Sequence, residues 1–183
     1  MKDPNRLKKK NNPVRPPIVS LVGSSGAGKT TFLEKLIPEL VRRGFRVGTI
    51  KHDVHGFEMD TPGKDSWRHK HAGAVLSMIA SPFQVGMVMD VDHDHSPEEL
   101  LPLISGVDII LTEGYKKAGR IKVEVFRPDG RDKTPLCAND DALIALVSDV
   151  AVDLRVPRFP LSDVKGLAGF LITRFKLKPS PFR

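Results

Sequence analysis

The 183 residues suffice for one domain, which at that length buries roughly 70% of its unfolded surface, and a single cysteine, Cys137, excludes an internal disulfide and fits a reducing compartment. No run of about 18 apolar residues is available to span a membrane, and the five of residues 18–22 fall short of the roughly 7–15 of a secretory signal, so the cytoplasm is expected. The net charge of +7 sits mostly at the start, where residues 1–17 carry six Lys or Arg against Asp3; the body keeps only +2 and does not by itself imply a polyanionic partner.

Taken in chain order, residues 1–16 are rich in Lys, Asn and Pro without apolar periodicity, and are expected to form a disordered basic tail. RNA, DNA or a membrane surface could be its partner, but a solvated tail with none is the simpler reading. Residues 17–176 are expected to form one domain and 177–183 a short C-terminal tail. The run 17–22 reads as a buried strand. After the glycines that follow, Phe32, Leu33, Leu36, Ile37, Leu40 and Val41 recur at helical spacing, with a kink or re-formed turn expected at Pro38 and a C-cap at Gly44. "RVGTIKHD" is the next strand, which completes a strand, helix, strand unit of the size of a right-handed crossover and predicts a parallel sheet.

A polar connection, 53–65, leads to a short helix expected over 66–73 and to two apolar runs, "AVLSMIA" and the strand-like "FQVGMVMDV". "SPEELLPLIS" predicts a helix with Ser96 as N-cap, Pro97 in its first turn and Glu98 and Glu99 near its positive end. "VDIILTEGY" is a strongly apolar strand. "IKVEVFR" alternates with period two, so an antiparallel or edge strand with one charged face is expected there. "ALIALVSD" is a further buried run, and Val164, Leu167, Phe170 and Leu171 mark a closing amphipathic helix. Strands alternating with helices give an α/β layered domain, a mostly parallel sheet with flanking helices and an added antiparallel or edge region.

The loop "GSSGAGKT", Gly23 to Thr30, satisfies G-x-x-x-x-G-K-[ST] between an apolar strand and an amphipathic helix, the context of a phosphate-binding P-loop. Gly23, Gly26 and Gly28 let the backbone wrap closely, so that N–H groups of the loop, Ser25 and Ala27 included, converge on a phosphate beside the helix N-terminus. Lys29 reaches the β- and γ-phosphates, the Thr30 hydroxyl can ligate Mg²⁺, and Thr31 can reach the α-phosphate. A plain helix cap needs neither three glycines nor the lysine. Ligands of open α/β sheets lie beyond the carboxyl ends of the strands. Glu113, at the end of its strand, is therefore the expected metal- and water-positioning carboxylate, and Asp108, at the start, a turn residue. Lys29 and Glu113 are the candidate catalytic pair, and Thr30 and Glu113 the candidate metal ligands. Lys51, His52 and Asp53 fall at the same edge, either as site residues or as loop hydrogen-bond partners.

Two runs combine His and Asp: "KHDVHGFEMD", with His52, His55 and Asp60, and "DVDHDHS", with Asp92, His93, Asp94 and His95. Neither has the two-plus-two spacing of a structural zinc site. The first lies at the functional edge and is a candidate for substrate or phosphate contact, whereas the second reads as a solvated loop. "TPGKDS" delivers Lys64 and Ser66 at a helix start, where an anion contact and a plain start capped by Asp65 or Ser66 both explain the letters, the second being the choice from chemistry alone.

Three blocks in this order, "GSSGAGKTTFLEKLIPEL", "KHDVHGFEMDTPGKDSWRHKHAGA" and "DIILTEGYK", resemble the molybdopterin-guanine dinucleotide biosynthesis protein B (MobB) family, over nearly all of Ile18 to Phe175. The resemblance implies a P-loop NTPase fold, usually dimeric, that binds GTP with Mg²⁺, hydrolyses it weakly and assists a partner guanylyltransferase that attaches GMP to molybdopterin in molybdenum cofactor maturation. It further implies that Lys51, His52, His55, Asp60, Lys64 and Asp65 form a family-specific substrate or partner loop. Val54 stands where the family commonly has a further histidine, and the basic tail lies outside the family pattern. The guanine preference comes from the resemblance alone, because the chain lacks an N-K-x-D motif; Asp149, after a buried strand, is the candidate base contact. A small-molecule kinase is the alternative, since the same loop clamps a γ-phosphate during transfer, although no clear lid segment appears beside Arg68 and the nearby histidines. Nucleic-acid binding rests on the tail alone and is not expected. For a homodimer, "IKVEVFR" and "FQVGMVMDV" are the strands expected to pair across subunits.

Overall fold

The computed structural model describes residues 15–128 and 133–179, so positions 1–14 of the expected basic tail and 180–183 of the expected C-terminal tail lie outside the described residues. Among the described residues eight strands and three α-helices follow one another as β1 (Ile18–Val22), α1 (Lys29–Arg42), β2 (Val47–Lys51), α2 (Asp65–His71), β3 (Leu76–Ala80), β4 (Val85–Met89), β5 (Ile109–Glu113), β6 (Lys122–Val125), β7 (Leu143–Val147), β8 (Arg158–Phe159) and α3 (Val164–Phe175). Six strands form one parallel sheet in the order β2-β5-β1-β6-β7-β8, while β3 and β4 pair antiparallel as a separate hairpin. Among the described residues no helix is long and apolar enough to cross a membrane.

The core grows from the period-two pattern of the central strands. Val19 and Leu21 of β1, Ile109 and Leu111 of β5, and Val123 and Val125 of β6 share one face, where they meet Phe32, Leu36 and Leu40 of α1 and Leu167 and Leu171 of α3. Burying each such side chain stabilises the fold by about 1.5–3 kcal/mol. The end of α1 is a Schellman turn: Gly44, with φ of 89°, donates to the Val41 carbonyl (2.9 Å) and Phe45 to that of Leu40 (3.1 Å). Pro38 is accommodated within an α1 that runs unbroken from Lys29 to Arg42.

Three expectations are corrected. β6 is neither antiparallel nor at an edge; it lies parallel between β1 and β7, with Lys122 and Glu124 buried. Its charged face is covered by the loop before β7, where Asp140 accepts a bond from Lys122 Nζ at 2.6 Å. The Leu136 and Cys137 N–H groups donate to Glu124 at 2.7 and 2.8 Å. An alternation that reads as solvent-facing is thus a buried, paired face, and the antiparallel region is the β3–β4 hairpin instead. β6 is consequently unavailable for pairing with a second subunit. Finally, residues 96–105 are not an α-helix. Glu99 carries a capping-box bond to the Ser96 N–H (2.8 Å), but Glu99, Leu101, Leu103 and Ile104 each donate to the carbonyl three residues back, and only Leu101–Leu103 form a 3₁₀ turn. Pro102 supplies no N–H for a fourth-residue bond to Glu98, and the amides on either side of it bond to carbonyls three residues back.

Candidate functional site

β1 ends in the buried core and hands the chain to the glycine loop, which must turn within a few residues into α1. Gly23 adopts φ of 142°, and a Cβ there would stand 2.3 Å from the Val125 carbonyl oxygen, so only glycine lets the loop pass over the end of β6. Gly28, at φ of 95°, is the N-cap of α1 and brings no side-chain capping bond; the first intrahelical donor is the Phe32 N–H, bonded to Gly28 O at 2.9 Å. The amides of Lys29, Thr30 and Thr31 thus open α1 uncapped by any side chain, beside the positive end of a 14-residue helix. Ser25 and Thr31 are exposed, whereas Ala27 is buried in the core and anchors the loop.

The Lys29 side chain folds back over the loop, with Nζ donating to Ser24 O (2.8 Å) and Gly23 O (3.2 Å). Burial lowers its pKa, opposed by Glu113 and reinforced by Lys116 and Lys51. The Thr30 hydroxyl donates to the Glu113 carboxylate, at 2.8 Å from Oε1 and 3.0 Å from Oε2, and Lys51 Nζ lies 3.6 Å from Oε1. This grouping follows from register: Glu113 of β5 is aligned with Lys51 of β2 and with Leu21 of β1, so all three strands deliver their carboxyl ends to one edge. Asp108, at the opposite edge, accepts from the Arg46 N–H at 2.7 Å.

Beside the loop opens a cleft of about 700 Å³, lined by Ser25, Lys29, His52, Asp53, Val54 and His55 on one side and by Asp94 to Ser96 and Gly114 to Ala118 on the other. The His52 ring stacks on Tyr115 at 4.3 Å, and its Nε2 lies 2.9 Å from Asp94 Oδ1. Tyr115 holds φ of 53° and is nearly buried; burial first, then Asp94 and Glu98, raises its phenol pKa. The run 92–95 is therefore only partly the solvated loop expected of it, because Asp94 and His95 turn into the cleft.

The structure does not gather every candidate. Lys51, His52 and His55 reach the site, whereas Asp60, Lys64 and Asp65 are absent from the cleft lining. Asp60 caps the Thr61 N–H (2.8 Å), the Lys64 N–H donates to Thr61 O (3.2 Å), and Asp65 opens α2 with its carboxylate 3.8 Å from Arg68. Asp149 follows β7 at the same sheet edge and accepts from the Leu161 N–H at 2.8 Å. Sequence reasoning gave no role to Tyr115, Lys116, Lys117, Asp94, His95 or Arg127. The strand-end rule that selected Glu113 extends naturally to the next few residues and could have found the first three. Nothing in the letters pairs Asp94 with His52 across 42 positions. The Arg127 guanidinium lies 3.8 Å from where a Gly28 Cβ would stand, directly against the loop. Positive charge therefore gathers at this edge, with Lys29 and Lys116 lining the cleft, Lys51 on Glu113 and Arg127 against the loop, beside the paired Thr30 hydroxyl and Glu113 carboxylate.

A family model described as molybdopterin guanine dinucleotide synthesis protein B matches residues 18–149. The chain is 36% identical over 160 residues to the molybdopterin-guanine dinucleotide biosynthesis adapter protein of Escherichia coli strain K12, covering 85% of this chain and 91% of that one. It is 31% identical over 157 residues to the adapter protein of the same name from Haemophilus influenzae, covering 85% and 87%. Its fold is similar to a crystal structure of molybdopterin-guanine biosynthesis protein B, with a TM-score of 0.69 and 28% identity over 87% of this chain and 99% of that one.

Proposed function

The chain belongs to the molybdopterin guanine dinucleotide synthesis protein B family, and from that premise we propose that it is a GTP-binding adapter with weak GTPase activity, assisting a guanylyltransferase that joins GMP to molybdopterin. One observation carries this reading: the Thr30 hydroxyl sits on the Glu113 carboxylate at 2.8 Å, beside a loop whose Ser25 and Lys29 line the cleft. Two hard oxygen donors in contact at the foot of a phosphate loop fit a magnesium ion. Bound there, magnesium would supply charge neutralisation to the β- and γ-phosphate oxygens.

The chain's own residues do the rest. The amides of Gly23 to Thr31 bind the phosphates, and Lys29 exchanges the Gly23 and Ser24 carbonyls for phosphate oxygens. Glu113 holds the Thr30 hydroxyl in orientation, and Arg127 adds a second fixed positive charge beside Gly28. Asp149, whose Oδ1 accepts from the Leu161 N–H, is the residue this reading assigns to the guanine base. Hydrolysis is slow until a partner completes the site. Molybdopterin or the partner enzyme meets the loop from Lys51 to Asp65, and the cleft between His55 and Lys116 takes an anionic, ring-bearing occupant against the His52–Tyr115 stack.

We assign the homodimer contact to the β3–β4 hairpin, which exposes Met78, Ile79, Val85 and, at 95%, Phe83; sedimentation giving only monomer removes that assignment. The reading as a whole, in a cytoplasmic setting, is tested by titrating GTP and ATP with and without Mg²⁺. GTP should bind more tightly than ATP, and Lys29→Ala should abolish measurable triphosphate binding. Retained affinity in that variant overturns it, and fast acceptor-dependent phosphate transfer favours a small-molecule kinase instead.

A further inference from the structure

On the far rim of the cleft, the turn after β4 gathers a second set of donors unrelated to the hydroxyl and carboxylate at Thr30 and Glu113. Asp92, His93 and His95 each offer a ligand atom, and the three atoms lie within 4.8 Å of one another. The two imidazoles are stacked nearly parallel, with centroids 4.1 Å apart and planes at 12°. Their hydrogen bonds fix which nitrogens carry protons. His95 Nδ1 lies 3.0 Å from the His93 carbonyl oxygen, which can only accept, so Nδ1 bears the hydrogen and Nε2 keeps its lone pair. His93 stands between two acceptors, Nε2 3.1 Å from Glu99 Oε1 and Nδ1 2.6 Å from Asp92 Oδ1, so both of its nitrogens donate and a metal ion would take the place of the Nδ1 proton.

Glu99 is itself immobilised. Its other oxygen, Oε2, accepts from the Ser96 N–H (2.8 Å) and the Ser96 hydroxyl (2.7 Å). A fixed carboxylate on the outer nitrogen of an imidazole is the arrangement that orients metal-bound histidines, and the Asp92 contact on the inner nitrogen marks where an ion would enter between the two side chains. Asp94 belongs to the other side, held against His52.

We propose that Asp92, His93 and His95 form a binding site for a divalent transition-metal ion of the zinc or cobalt class, with Glu99 as the positioning residue for His93. Two imidazoles and one carboxylate match the three-ligand sets of open zinc centres and select against magnesium, which prefers oxygen alone. The exposed side chains of Asp92 and His93 need only rotate apart to admit the ion where their direct contact now stands. Its remaining position is open to water or to an anionic donor, and because His95 also lines the cleft, the ion would stand at the mouth of that cleft.

The test uses the full chain freed of metal by chelator dialysis and titrated with Co²⁺, read by visible d–d absorption and by calorimetry, with Zn²⁺ as competitor. One Co²⁺ per chain with nitrogen and oxygen ligation is expected, displaced by Zn²⁺. His93→Ala and His95→Ala should remove the bands, and Glu99→Gln should keep them shifted while weakening affinity about 10–100-fold. His69→Ala, on α2, should leave both unchanged. Absence of saturable binding, or bands that survive both cleft-rim histidine substitutions, or equal loss in His69→Ala, overturns the site. Mg²⁺-GTP affinity in His93→Ala should equal that of the unaltered chain, so the outcome is independent of the nucleotide reading.

Discussion

Thr30 and Glu113, 83 residues apart in the chain, share a hydrogen bond of 2.8 Å because β1 and β5 are neighbours in the sheet and end at the same edge. The hydroxyl opens α1 and the carboxylate closes β5, so the contact is a direct readout of strand order. Thr30→Ala and Glu113→Gln should each lower GTP hydrolysis about 10²–10³-fold, the size of a lost electrostatic contact to a developing charge. Calorimetry should show the Mg²⁺ dependence of GTP affinity reduced in both, with affinity in EDTA unchanged.

Gly23 tests the loop's geometry apart from its chemistry. In Gly23→Ala the new methyl would meet the Val125 carbonyl at 2.3 Å, at a φ that side chains rarely adopt. The loop must lift away from β6. Urea unfolding should report a loss of about 1–3 kcal/mol, and GTP affinity should fall even though the side chains of Lys29, Thr30 and Glu113 remain.

Glu124 is the buried carboxylate of β6, 1% exposed, and satisfies two backbone donors of the covering loop. Glu124→Ala strands the Leu136 and Cys137 N–H groups and should cost about 1–3 kcal/mol for each donor left unpaired. Glu124→Gln, with one accepting oxygen, should fall between. A loss below that range in urea titrations of Glu124→Ala would show that the covering loop finds other acceptors.

Glu39 fastens α1 to α3. Its carboxylate accepts from Arg42 and Arg43, and Arg43 also donates to the Lys165 carbonyl at 2.9 Å. Those guanidinium bonds hold its pKa down at about 2. A depressed carboxylate contributes stability that is present above its unfolded value near 4.5 and lost as pH falls toward 2. The Tm difference between the unaltered chain and Glu39→Gln should therefore be constant above pH 5 and close between pH 4.5 and 2.

The glycine loop, the parallel sheet and the strand-end position of Glu113 were legible because each rests on local rules: φ at Gly23 and Gly28, period-two runs in β1 and β5, and ligand placement at carboxyl ends. β6 was misjudged for a physical reason. Lys122 and Glu124 alternate with valines as surface charges do, and only Asp140 and the amides of residues 136 and 137 convert that face into an interior. The 96–105 segment departs from the α pattern because its Ser96–Glu99 box is only half made, the Ser96 hydroxyl donating to Glu99 rather than accepting from its N–H, and the backbone bonds run three residues back. β8, two residues long, carries no periodicity to read.

By itself the sequence determined the glycine loop and the family, since close backbone wrapping and the order of a few short blocks are written locally. Tertiary structure alone decided the company those residues keep: His52 on Tyr115 and Asp94, Lys51 on Glu113, and Arg127 against Gly28. Strand order and loop packing bring together side chains that are far apart along the chain, and neither is encoded in the spacing of the residues they join.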